Sequence, residues 1–439
     1  MARSMKDSRV EWIDEIPEGW EVYNIRHEFS FGKGLPITKE DLRDSGEPVI
    51  SYGQIHSKNN TGTTIKPVLV RYVEGEYLVT HPASLAYKGD LIVADTSEDI
   101  AGCGNCIYVD TDVPVFAGYH TIILRNKTNH NQRYLSYLFQ TDAWRSQIRK
   151  QVTGVKLFSI SQKILRSTSV IIPQYEEQQR ISDFLDAECA RIDAVIEQTR
   201  ASIEEYKKLK QCVITQAVTK GIRPGRRMVN SGVDWLGQIP DEWAMFRIAN
   251  LYDERNERGA EDIPILTVSI NTGISDHEIP DEEKDRVVVR SEDRTLYKRV
   301  YPGDLAYNMM RAWQGAFGAV RVDGMVSPAY VVAKPKTPGI LDSRYVEALL
   351  RTPSAIEEMH RYSRGITDFR LRLYWPEFKN ICVCVPSVKE QIEIADYIDA
   401  KAAEIDALIQ KKQRLLETLE FYKKSLIFEY VTGKKEVPV

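Results

Sequence analysis

Six cysteines, seven histidines and a few bunched carboxylates are the residues here that could do chemistry, and their spacing argues against a catalytic centre. Cys103 and Cys106 form a lone C-x-x-C in "GCGNC", whereas a structural zinc site asks for a second ligand pair at similar spacing. Cys382 and Cys384, in "CVC", stand where an earlier copy of the same stretch has Ser169 and Ile171, as small core residues do. Both pairs read as core thiols. The run "PDEEK", Pro280 to Lys284, echoes a nuclease carboxylate motif, but its acids are too bunched for two strand positions. The histidines are scattered, with no nucleophile–base pairing. Neither a G-x-x-x-x-G-K-[ST] phosphate loop nor a G-x-G-x-x-G turn is present, so ATP and dinucleotides have no evident cradle. The Asp-Pro-Pro-Tyr-like tetrapeptide of amino-methyltransferases is missing as well. An enzyme whose site the sequence hides stays open beside the non-catalytic reading.

Charge is the more informative feature. The net charge is −4, which does not suit a general nucleic-acid binder. Its distribution is uneven. From Arg125 to Val170 nine residues are basic (Arg125, Lys127, Arg133, Arg145, Arg149, Lys150, Lys156, Lys163, Arg166) and Asp142 is the one acid. The second half has "RVVVRSEDRTLYKR" and "RYSRGITDFRLR". A basic run is usually a solvated face, but one in each half lowers the weight of that reading.

With 439 residues, 43% of them hydrophobic and 28% charged, the chain can bury several cores, and its length suggests two to four domains. It has no apolar stretch near the ~20 residues of a membrane span. The opening "MARSMKDSRVEW" is charged and lacks a signal-peptide core, and six cysteines do not make a secreted disulfide framework at this size. A soluble cytoplasmic protein is expected.

An internal repeat organises the rest. Pro173 pairs with Pro386, an offset of 386 − 173 = 213 that runs without a gap to Thr219 and Thr432. "VEWIDEIPEGW" ends at Trp20 and "VDWLGQIPDEW" at Trp243, an offset of 243 − 20 = 223. Between these anchors the offset drifts, to 303 − 89 = 214 at Gly89/Gly303 and 344 − 133 = 211 at Arg133/Arg344. One segment therefore tolerates no insertion while the other does. In the ungapped segment Ile181, Leu185, Ile192, Ile196, Ile203, Leu209 and Val213 follow coiled-coil spacing, as do Ile394, Ile398, Ile405, Ile409, Leu416, Leu419 and Leu426. Each copy follows a proline, which ends the preceding strand. The two apolar stripes should bury each other, or else dimerise two chains. The intervening segments read as mixed α/β: "VFAGYHTIILRNK" and "MVSPAYVVAKPK" are strand-like, while "QRYLSYLFQTDAWRSQIRK" and "SRYVEALLRTPSAIEEMHRY" are helix-like. The expected layout is α+β: a first domain over 1–172, a long helix over 173–219, a second domain over 220–385, and a second long helix with a tail over 386–439.

The "SGVDWLGQIPDEW" block, the proline-plus-"EEQ" start of the long helix, the "VTKG" and "VTGK" helix ends and the tandem layout resemble specificity subunits of type I restriction–modification enzymes. "PVISYGQIHSKNNTG", "ADTSED", "VFAGYHT" and "NMMRAWQGAFG" are similar to segments of that family's target-recognition domains. The resemblance covers essentially the whole chain. It implies two target-recognition domains in tandem, separated by two long helices that form an antiparallel coiled coil. It implies double-stranded DNA as ligand, two methyltransferase subunits as partners, and restriction subunits in some systems. S-adenosylmethionine would belong to the methyltransferase subunits, and ATP and Mg²⁺ to the restriction subunits. The product would be N6-methyladenine in a bipartite site. Two diverged halves in one chain imply unlike half-sites, and the ungapped helix would set their spacing.

Base edges are read by paired donors and acceptors, whereas phosphate contacts position the domain. In the first domain these requirements select Tyr52, Gln54, His56, Lys58 and Asn60 of "YGQIHSKNN", with Lys156 and Ser159 of "GVKLFSIS". In the second they select Asn308, Arg311 and Gln314 of "NMMRAWQG", then Arg364, Thr367, Arg370 and Arg372 of "RGITDFRLR". Trp313 is expected in the core. Two other readings fit the same residues: a coiled-coil interaction scaffold, and the DNA reader of a fused nuclease–methyltransferase system.

Overall fold

The computed structural model describes residues 3–154, 156–270, 272–279, 294–365 and 371–438. The chain divides into two compact units, residues 1–199 with 414–439, and residues 200–413. Each unit holds one α/β domain and part of each long helix, Tyr175–Lys220 and Val388–Val431.

In the first unit the central sheet is antiparallel, in the order Cys106–Tyr108, Leu91–Ala94, Thr121–Asn126, Phe29–Lys33. Leu91–Ala94 is buried along its whole length, which explains its unbroken apolar sequence. The second unit repeats the order with Phe317–Ala319, Leu305–Asn308, Tyr330–Pro335 and Tyr252–Glu254. Even the register is kept: Ile122 opposes Val93 as Val331 opposes Tyr307. The strand before each long helix pairs back to the start of its domain, Ser169 opposite Asn24 and Cys382 opposite Arg247. The first unit adds a second four-stranded sheet with one parallel pair, Val115–Ala117 beside Glu47–Ile50. The stretch read as one helix in each domain is two. Thr141 and Thr352 interrupt it, each capping the following helix by accepting from the backbone N–H three residues on.

Within each unit the helix halves run antiparallel. In the first unit Phe184 stacks near Tyr430 and Asp193 meets Lys423. In the second Lys412 lies over Tyr206, and Lys210 meets Asp406. Ile181, Leu185, Ile192, Ile196 and Ile203 fill the seam as their spacing predicts. Leu209 does not; it is 48% exposed. Steps of three and four from Ile203 fall on Tyr206 and Lys210, so the seam passes one position to the side. Lys210 and its repeat Lys423 (423 − 210 = 213) therefore occupy half-buried seam positions, each bonded to an aspartate across the pair at 2.6 Å. Polar residues at such positions fix register at some expense in stability.

A set of anchors ties each domain to its helices, and it is duplicated atom for atom. The Tyr134 hydroxyl lies 3.0 Å from the Ile171 carbonyl and 2.9 Å from that of Val431. The Tyr345 hydroxyl lies 3.1 Å from the carbonyls of Cys384 and Val218. Burial pushes both phenols far above their usual range. The Trp20 indole donates to Glu177, which also pairs with Arg3; Trp243 donates to Glu390, which pairs with Arg226. The amide of Gln178 spans Asn131 N–H and Pro173 carbonyl, as that of Gln391 spans Asp342 and Pro386. Each long helix stops at a left-handed glycine, Gly221 (φ 75°) or Gly433 (φ 71°), so that the chain turns under the tryptophan.

Four of the six cysteines are buried, but Cys382, expected in the core with Cys384, is half-buried, and Cys212 is exposed. Cys103 and Cys106 are buried in the first core and Cys384 in the second, where burial pushes its thiol up to about 12. Among the described residues no group of three or more potential ligands could hold a metal ion. "PDEEK" lies outside the described residues. No described helix is long and apolar enough to cross a membrane.

Candidate nucleic-acid interface

In the first domain four segments meet at one end of the sheets. Strand Leu91–Ala94 runs into Asp95 and Thr96, strand Val115–Ala117 into Tyr119 and His120, and Glu47–Ile50 into the short helix Tyr52–Ile55. Strand Phe158–Ser159 lies across them, with Ser159 opposite Thr96. Backbone bonds lock the junction: Asp95 N–H to His120 carbonyl at 3.1 Å, Tyr52 to Tyr119 at 3.3 Å, and Ile160 to Asp95 at 2.7 Å.

The residues selected from the sequence have different places in this junction. Tyr52 is half-buried, its ring edge-on to His56, Tyr119 and His120 at centroid distances of 6.2, 5.5 and 5.5 Å. Gln54 closes a capping box, its side-chain oxygen accepting from Ser51 N–H at 3.0 Å. His56 works inward: Nε2 donates to the Thr96 carbonyl at 2.8 Å, which leaves Nδ1 to accept from Asn105 at 3.1 Å. Asn60 is committed in the same way, donating to the Ile55 and Cys106 carbonyls and accepting from Gly62 N–H. Lys58, Lys156 and Ser159 are exposed.

Four arginines of this domain's basic run are half-buried and bonded within the fold. Arg133 is sandwiched between Tyr108 and Tyr137, bonding Thr63 carbonyl and Asp186. Arg145 bonds the Phe139 carbonyl and Gln140, and Arg149 the Ala101 carbonyl and Asp142. Arg125 holds the Ala83 and Leu85 carbonyls. Lys156 and Lys163 are exposed cations.

The corresponding end of the second domain is built differently. Asn308 ends its strand and accepts from Met310 N–H at 3.0 Å. Arg311, half-buried, opens a short 3-10 turn whose Gln314 is exposed. Trp313 donates to the Met310 carbonyl and sits edge-on to His360, half-buried and not in the core. Arg364 and Arg372 form a two-way backbone bridge at 2.9 Å; Arg364 also pairs with Glu377, while Arg372 is exposed. The Leu373 N–H bonds to the Met309 carbonyl as Ile160 bonds to Asp95, so both domains lay this segment across the same strand end. Thr367 and Arg370 lie outside the described residues. The sequence selection passed over His120, Asp95, Thr96, Met310 and His360, although "ADTSED" and "VFAGYHT" carry three of them.

The chain is thus a tandem of two α/β domains with equal anchors on shared long helices and with unlike ends. Residues 17–205 match the family described as "Type I restriction modification DNA specificity domain". The EcoKI specificity subunit of Escherichia coli K12 is 21% identical over 436 residues, 96% of this chain and 90% of that one. The Escherichia coli EcoBI specificity subunit is 23% identical over 328 residues, 70% of this chain and 66% of that one. The fold is likewise shared. A chain solved in work on complex assembly and conformational transition of the type I R-M system has a TM-score of 0.65 at 16% identity, covering 96% of this chain and 99% of that one. The HsdS subunit of Thermoanaerobacter tengcongensis has a TM-score of 0.50 at 16% identity, covering 96% and 98%.

Proposed function

We propose that this chain is the sequence-specific DNA-binding subunit of a type I restriction–modification complex, reading an asymmetric bipartite site with one half per domain. One observation carries the proposal: the same central sheet and the same set of anchors support two differently built ends. A symmetric reader would keep both ends alike. The subunit is non-catalytic in this reading. Two methyltransferase subunits, with S-adenosylmethionine, modify adenine, and restriction subunits, where present, use ATP and Mg²⁺. The test is selection of duplexes from a randomised pool by the chain assembled with its methyltransferase subunits. A motif split into two unlike parts with a fixed spacer is expected; an unsplit or palindromic motif contradicts it. Inserting one helical turn into both long helices should then alter the permitted spacer, and an unchanged spacer would remove their role as rulers.

A further inference from the structure

His120 stands apart from the other histidines of the first domain. Its backbone has φ 56°, in the left-handed region that residues other than glycine rarely adopt and that marks sites where function holds a strained conformation. The strain is held from two sides, because the His120 carbonyl accepts from Asp95 N–H and the Tyr119 carbonyl from Tyr52 N–H. A preceding glycine makes the approach possible: a Cβ on Gly118 would lie 2.0 Å from Ser51 Oγ.

The side chain so placed is 56% exposed, yet it is not loose. Nδ1 lies 3.2 Å from Asp95 Oδ1 and 3.4 Å from Thr96 Oγ1, and Tyr52 and Tyr119 stand edge-on to the ring at 5.5 and 6.1 Å. The carboxylate can only accept, so Nδ1 carries the proton. Nε2 makes no hydrogen bond among the described residues. In His56 both ring nitrogens are consumed by the fold. His120 is thus an oriented imidazole whose free nitrogen, in the neutral ring, is an acceptor.

We infer that His120 is a specificity-determining residue of the first half-site, its Nε2 meeting the exocyclic amino group of an adenine or cytosine. The inference rests on the DNA-reading function proposed above. Phosphate offers no donor to such a nitrogen, whereas these amino groups are the donors that the major groove displays. In the second domain the equivalent strand, Tyr330–Pro335, is preceded by Ala329, which has no polar side chain. The contact therefore belongs to one half-site alone.

The experiment uses the full chain assembled with its methyltransferase subunits, and duplexes carrying the selected site with each position varied singly. His120→Asn keeps a residue that tolerates the left-handed backbone, and His120→Gly removes the strain along with the ring. Both should lose about tenfold or more of the discrimination at one base pair of one half-site. Discrimination in the other half-site should not change. Equal weakening on every duplex with a shallower salt dependence would make His120 a phosphate contact and overturn the inference. So would unaltered discrimination in both variants while the wild type remains selective. A wild type that prefers no sequence would overturn the DNA-reading function itself.

Discussion

The anchors and the ends of the two domains obey different rules. At the anchors, Trp20, Tyr134, Gln178 and Glu177 make the bonds that Trp243, Tyr345, Gln391 and Glu390 make. At the ends, one domain has a His–Asp pair beside two tyrosines where the other has an Asn–Arg–Trp turn. Arg133 and Arg344 show where one rule gives way to the other. Both reach the helix, but Arg133 lies between two tyrosine rings, while Arg344 meets Asp342, Asp396 and Asp399 beside a cleft of about 610 Å³. Residues that hold a domain on its helices admit few alternatives, because each satisfies buried partners. Residues at the strand ends answer to whatever they bind.

The largest test of that contrast strikes the anchors. Trp20→Ala and Trp243→Ala should each destabilise their own unit by about 3–5 kcal/mol, a similar loss in both, as measured by denaturant unfolding. Unequal losses would show that the duplicated frame is not energetically duplicated. Next comes an end. Arg372→Ala should cost about 1–3 kcal/mol at one base pair of the second half-site and nothing in the first, as read by binding to single-position variants. A uniform loss with a shallower salt slope would assign Arg372 to phosphate. The smallest effect lies in the helix seam. Lys423→Ala and Lys210→Ala should cost about 1 kcal/mol or less. Lys423, at 17% side-chain exposure against 31%, should show the larger loss. Reversed order would mean that burial does not set the strength of the pair.

Much of the frame could be read from the chain because it rests on local periodicity and repetition. The offset of 213 predicted the matched long helices, and three-and-four spacing located the seam of the first helix as far as Ile203. It failed at Leu209 because an apolar residue one step off the stripe looks like part of it, while the lysine that truly occupies the seam does not. The helix breaks at Thr141 and Thr352 went unread, since threonine caps only where the backbone turns. The ends were harder still. Gln54, His56 and Asn60 have side chains suited to base edges, but their hydrogen bonds go to groups such as Ser51, Thr96 and Cys106. His120 owes its prominence to a backbone angle that its own residue type does not reveal.

The most direct measurement is a map of methylated adenines across the host genome with and without this gene. The account predicts loss of one split motif whose two parts differ, with every other methylated motif unchanged. An identical map, in cells shown to make the protein and its methyltransferase subunits, would contradict it.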